Sequence, residues 1–168
     1  SHNHQNACAA YAAVRSLGLG PRSIEKALES FNGLSHRSQL VTEIDGVVFI
    51  NDSKATNVDS AMKALATFSK VRWICGGEQK EEDISRLNNA LTNVKKAYVI
   101  GANTEKFSSQ ISCEFENCNT MDIAVQKAFR DAQAGDTVLL APAAASFDQY
   151  GSFEERGQAF EHEIKKLV

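Results

Sequence analysis

The segment INDSKATN (50–57) gathers a carboxylate (Asp52), a cation (Lys54) and two hydroxyls (Ser53 and Thr56) in one short stretch. Such a mixture suits an anionic ligand. A lysine is a mobile point charge that can settle on a phosphate or a carboxylate, and hydroxyls beside a helix start can hold an anion. A polar turn capped by Asn57 would use the same residues. A second stretch, GGEQKEED (76–83), sets two glycines ahead of Lys80. Glycine lets a backbone approach a ligand closely, and Lys80 can pair with a carboxylate. The spacing is not that of a GxxxxGK[ST] phosphate loop, and a tight turn with solvated charges fits it as well. The third stretch, APAAASFDQYGSF (141–153), runs from small residues to Ser146, a hydrogen-bonding group, and to Phe147 and Phe153, which could wall a pocket. A helix cap and two core aromatics would look the same.

Two further groups lie earlier. Asn3 and Asn6 are three apart, so on a helix they share a face. Paired amides can read a polar heterocycle, or simply solvate a first turn. His36-Arg37 precedes the first strand, where Arg37 can bind phosphate or remain a surface cation. Four cysteines are present: Cys8, Cys75, Cys113 and Cys118. Cys113 and Cys118 are five apart, which is not a usual zinc spacing, and no histidine lies near them, so reduced thiols and no metal site are expected.

These residues need elements to hold them. The alanine-rich run 3–17 predicts a helix stopped by Gly18 and Gly20. A second helix follows Pro21, with Ser23 as its expected cap, and ends at Gly33. Asp45-Gly46 between the apolar runs 39–44 and 47–51 is a hairpin signal. Strands at 71–76, 96–101 and 137–142 then alternate with helices over 58–69, 82–93, 104–111, 120–133 and 154–167. The expected fold is α/β: a Rossmann-like, mostly parallel sheet with an antiparallel edge hairpin, helices on both faces, preceded by two helices. Ligands of such sheets sit beyond the carboxyl ends of the strands. The loops after 51, 76 and 142 are the three stretches described above.

The 168 residues, 43% hydrophobic and 23% charged, leave room for one ordinary domain and a fragment of another. A net charge of −3 gives no electrostatic reason to expect nucleic acid or an anionic membrane as partner. No apolar run approaches the ~20 residues of a membrane span, and residues 1–20 do not read as a signal peptide. A cytoplasmic protein is expected.

In order and spacing, HNxxN (2–6), GLxHR (33–37), INDSKATN (50–57), GGxxK (76–80) and APAAASFDQYGSFEERG (141–157) resemble the Mur ligases. DSKATN and the ASFDQ…F…RG run resemble the branch that ligates D-glutamate. The resemblance implies an ATP-dependent, amide-forming enzyme of peptidoglycan synthesis in the bacterial cytoplasm, monomeric, with three domains. Residues 1–33 would be the helical tail of the central ATP-binding domain, and 34–168 the C-terminal, amino-acid-binding domain. It implies that ATP, with Mg2+, phosphorylates the carboxylate of UDP-N-acetylmuramoyl-L-alanine and that the amine of D-glutamate attacks the acyl phosphate. It assigns Asn3, Asn6, His36, Arg37 and Asp52 to the nucleotide, and Lys54 to the transferred phosphate. Thr56, Lys80, Ser146, Phe147 and Phe153 fall to D-glutamate. Ala141, Ala144 and Gln79 depart from the residues usual in the family. The 168 residues hold no GKT-type phosphate loop, so no turnover by this chain alone is expected. A folylpolyglutamate synthase, which also ligates glutamate, is the alternative enzyme, although DSKATN and SFDQ argue against it. A stand-alone nucleotide- or amino-acid-binding module is the alternative of another class.

Overall fold

A computed structural model describes residues 2–168, with side chains described from residue 5. The chain divides into two compact units, Ser1–Gly33 and Leu34–Val168. The first holds α1 (His2–Ser16) and α2 (Pro21–Glu29). Gly18, at φ +89°, ends α1, and its N–H donates to the Arg15 carbonyl at 3.0 Å. α2 starts ahead of Ser23: Gly20 is the cap residue and Pro21 fills the first turn. A proline there has its φ already set and lacks an N–H that the first turn would leave unpaired.

The second unit opens with the hairpin β1 (Gln39–Ile44) and β2 (Val47–Asn51). Asp45 and Gly46 both take positive φ, 51° and 76°, as a two-residue turn between twisted strands requires. Next come α3 (Val58–Leu65), β3 (Val71–Gly76), a 3-10 helix (Ser85–Asn93), β4 (Val94–Ile100) and α4 (Thr104–Ser108). β5 (Phe115–Asn119), α5 (Met121–Asp131), β6 (Thr137–Leu140) and α6 (Phe153–Lys165) complete it. The strand order is β1-β2-β6-β3-β4-β5. β1 runs antiparallel to β2, and every other pairing is parallel.

The inner strands are buried on both faces, as a parallel sheet between helices demands. Alternation along β3 shows it: Trp73 and Cys75 enter one apolar cluster with Leu65, Phe107 and Leu139. Ile74 enters the other, with Phe49, Tyr98, Val125 and Phe160. The two faces of one strand thus feed two cores.

Three local readings give way. Where an α-helix was expected over 82–93, Ser85–Asn93 forms a 3-10 helix with no side-chain cap. Its Ser, Thr and Asn side chains compete for backbone partners. Asn88 does so here, donating to the Gln110 carbonyl at 3.0 Å and accepting the Ser112 N–H at 2.8 Å. α3 stops at Leu65 rather than 69, although Asn57 caps it as expected, accepting the Ser60 N–H at 2.9 Å. The sheet also gains β5, a polar edge strand whose one buried residue is Cys118.

Candidate functional site

The carboxyl ends of β2, β6, β3 and β4 lie side by side, and backbone hydrogen bonds lace their loops together. Ala143 N–H donates to the Ala55 carbonyl at 2.9 Å, and Gly76 N–H to the Pro142 carbonyl at 2.8 Å. Glu78 and Ala145 exchange two bonds, at 3.0 and 2.9 Å, as an isolated antiparallel bridge. Gly77 makes this approach possible: at φ +127° any Cβ would run into the Ala145 carbonyl. The bridge brings the stretch leading to Lys80 alongside Ser146.

Arg156, on the first turns of α6, ties two of the loops to that helix. It is buried, with Nε 3.1 Å from Ser53 Oγ and Nη2 3.0 Å from the Ser53 carbonyl. Nη1 donates to the carbonyls of Ala144 and Ala145 at 3.1 and 3.0 Å. Burial lowers its pKa to about 10, opposed by the nearby Asp148 and Tyr150, so it remains charged at neutral pH. The planar fork suits this task, since its donors leave in fixed, divergent directions. Ser53 is buried too, and its hydroxyl donates to the Phe153 carbonyl at 2.7 Å.

Lys54 follows directly. Its N–H donates to the His36 carbonyl at 3.0 Å, and its ammonium stands over the Phe153 ring, 4.0 Å from the centroid. No carboxylate of the described residues forms an ion pair with it. Phe153 is placed by the start of α6, where Ser152 Oγ accepts the Glu155 N–H at 3.2 Å. His36 meets the same ring edge-on, with centroids 6.2 Å apart.

His36 is itself buried and sits in the left-handed region at φ 62°. Its N–H is held by Gln39 Oε1 at 2.8 Å. Its Nδ1 lies 2.9 Å from Asn51 Nδ2. Arg37, next along, is exposed. Asp52 faces this turn, accepting the Ser38 N–H at 3.1 Å. Burial raises the Asp52 pKa, and the Ser38 N–H and Arg37 work against that rise.

Of the remaining residues singled out in the sequence, Ser146 is buried, Thr56 half-buried and Lys80 exposed, while Phe147 is 67% exposed. Thr56 N–H donates to the Lys54 carbonyl at 2.8 Å. Asn6 is exposed on α1, and the side chain of Asn3 lies outside the described residues. The structure therefore joins His36, Lys54 and Phe153 in direct contact, and sets Asp52 beside the Arg37 turn. Among the described residues no three His, Cys, Asp or Glu side chains converge as a metal site, and no helix is long and apolar enough to cross a membrane.

Sequence reasoning passed over Asn51, Arg156 and Glu161, and read Ser53 as a hydroxyl for a ligand rather than as the partner of Arg156. One signal was available: Arg156, Phe160 and Ile164 recur at helical spacing, and all three are buried. An arginine on the apolar stripe of a helix needs internal partners.

A mostly parallel sheet with a cation, hydroxyls and close-packed glycines at its carboxyl end defines an α/β domain of the class whose ligands sit at the strand ends. A family model described as Mur ligase, glutamate ligase domain, matches residues 36–144, and the chain belongs to this family. The UDP-N-acetylmuramoylalanine–D-glutamate ligase of Ruegeria pomeroyi is 60% identical over 168 residues, all of this chain and 36% of that protein. The ligase of the same name from Roseobacter denitrificans is 61% identical over 99% of the chain, again 36% of its own length. This chain thus spans about a third of the curated relatives it matches. Among solved structures, UDP-N-acetylmuramate-alanine ligase of Thermotoga maritima superposes with a TM-score of 0.70 at 16% identity, over 99% of this chain and 38% of that one. E. coli FolC, in complex with DHPP and ADP, gives 0.70 at 25% identity, over 97% of this chain and 39% of that one.

Proposed function

We propose that Leu34–Val168 is the amino-acid-binding domain of a ligase that adds D-glutamate to UDP-N-acetylmuramoyl-L-alanine with hydrolysis of ATP, in the bacterial cytoplasm. Residues 1–33 are, in this reading, the tail of the central ATP-binding domain. The observation that carries the reading is the 60% identity across the whole chain to a ligase of that name, which takes in all the strand-end loops. The likeness to FolC is much weaker, at 25%, so a folate-directed ligase is the poorer match.

The chemistry asks for charge neutralisation and positioning. ATP, as its Mg2+ complex, transfers its terminal phosphoryl group to the carboxylate of the UDP-linked substrate. The amine of D-glutamate attacks the acyl carbon, and the tetrahedral intermediate expels phosphate to leave an amide. Lys54 places its positive charge where negative charge collects on the phosphoryl oxygens. Its contact with the Phe153 ring holds it over the site without committing it to a carboxylate. Lys80, Ser146 and Thr56 supply a cation and hydroxyls for the two carboxylates of D-glutamate, with Phe147 and Phe153 as apolar walls. A wrong amino acid would leave these groups unpaired. Arg37 and His36 take the nucleotide from this side, Asp52 accepts from its ribose hydroxyls, and Asn3 and Asn6 serve the adenine. Binding both partners in register supplies much of the rate enhancement.

ADP release by the whole protein tests this. It is expected to require both UDP-N-acetylmuramoyl-L-alanine and D-glutamate, and to fail when L-glutamate replaces the D isomer. Release that proceeds equally with L-glutamate refutes the assignment.

A further inference from the structure

We infer that Asn51 fixes the single imidazole proton of His36 on Nε2, so that His36 offers the nucleotide a neutral N–H donor, and that Glu161 holds Asn51 to this role. The nucleotide half of the inference rests on the function proposed above; the proton's position rests on geometry alone.

Asn51 is fully buried at the end of β2. Its Oδ1 is committed to the Ser53 N–H at 3.1 Å, which fixes which end of the amide faces the helix. The NH2 end then meets three acceptor positions: Glu161 Oε1 at 2.8 Å, His36 Nδ1 at 2.9 Å and the Gly157 carbonyl at 3.2 Å. Glu161 and the carbonyl accept only, so an amide oxygen there would face two others. Two hydrogens serve the two nearest partners, and His36 Nδ1 is one of them. A neutral imidazole that accepts at one nitrogen carries its proton on the other. No described residue bonds to Nε2, which leaves its N–H for an acceptor oxygen of the ligand.

The packing makes this arrangement rigid. A Cβ on Gly157 would overlap His36 Nδ1 and approach Asn51 Nδ2 to 3.0 Å, so α6 presses against both side chains. The His36 N–H is pinned by Gln39 and its carbonyl by the Lys54 N–H. Asn51 and Glu161 are therefore positioning residues: each acts through His36.

Long-range 15N NMR of the full 168-residue chain, labelled in histidine and assigned with His36→Gln, reads the proton directly. The expected result is an unprotonated, pyridine-type Nδ1 and a pyrrole-type Nε2. Asn51→Asp replaces the donor by an acceptor and is expected to exchange the two shifts, whereas Glu161→Gln, which keeps an acceptor for Asn51, leaves them as they are. A pyrrole-type Nδ1 in the unaltered chain overturns the inference even if Asn51→Asp does not fold. In the whole ligase, Asn51→Asp should raise KM for ATP roughly 2- to 10-fold, the loss of one hydrogen bond, with KM for D-glutamate unchanged. Exchanged shifts with an unaltered KM for ATP would leave the proton assignment standing and refute the nucleotide role.

Discussion

The ammonium of Lys54 stands 4.0 Å from the centre of the Phe153 ring, and the same ring takes the edge of His36. A cation over an aromatic face gains about 0.5–2 kcal/mol, more as water is excluded. Phe153→Leu keeps an apolar wall but removes the ring's quadrupole. In the whole ligase it should lower kcat/KM for D-glutamate by roughly 2- to 30-fold, with Phe153→Tyr restoring most of it. Steady-state kinetics of the three proteins checks this; equal losses for leucine and tyrosine would mean that the ring only fills space.

Gly157 lies inside α6, where alanine ordinarily gains about 1 kcal/mol over glycine. Here the sign should reverse. The added methyl has no room between His36 and Asn51, and overpacking a tight contact costs about 1–3 kcal/mol. Gly157→Ala is expected to lower the urea midpoint of the Leu34–Val168 unit, and a raised midpoint would show that the His36 turn yields freely.

Asp52 has its pKa raised above the ordinary carboxylate value of 3.8 by burial. The folded protein then binds a proton more readily than the unfolded chain, and its stability falls as pH rises through the folded pKa. Asp52→Asn abolishes that titration. The variant should match or exceed the parent's stability at pH 7 and show a flatter profile above pH 4. It should also weaken ATP binding, because a neutral amide oxygen replaces the charged ribose acceptor. Denaturation across pH and nucleotide titration together separate the two effects.

Much of this architecture was legible beforehand, and the reasons differ by element. Asp45-Gly46 announced the hairpin because few residues tolerate two successive positive φ values. Trp73, Ile74 and Cys75 marked a strand buried on both faces. β5 escaped because an edge strand such as FENCN faces water along most of its length and carries no apolar pattern. The 82–93 segment misled because its leucines and isoleucine sit at helical spacing, while Asn88 spends its amide on the loop before β5. In the site, Lys54, Lys80 and Ser146 stood out as side chains suited to a ligand. Asn51 and Arg156 did not, because their partners are far away in sequence: Arg156 meets Ser53 across 103 positions and Asn51 meets Glu161 across 110. Chemistry that faces a ligand shows in local composition, whereas chemistry that braces it depends on the fold.

The central claim is that the loops after β2, β3 and β6 together form the D-glutamate site. The most direct measurement is KM for D-glutamate in the whole ligase carrying Lys80→Ala or Ser146→Ala, with KM for ATP followed alongside. The account predicts that each variant raises KM for D-glutamate by about tenfold, the scale of one lost bond to a charged group, and leaves KM for ATP within about twofold. Unchanged KM for D-glutamate in both variants, or an equal rise in KM for ATP, would contradict it.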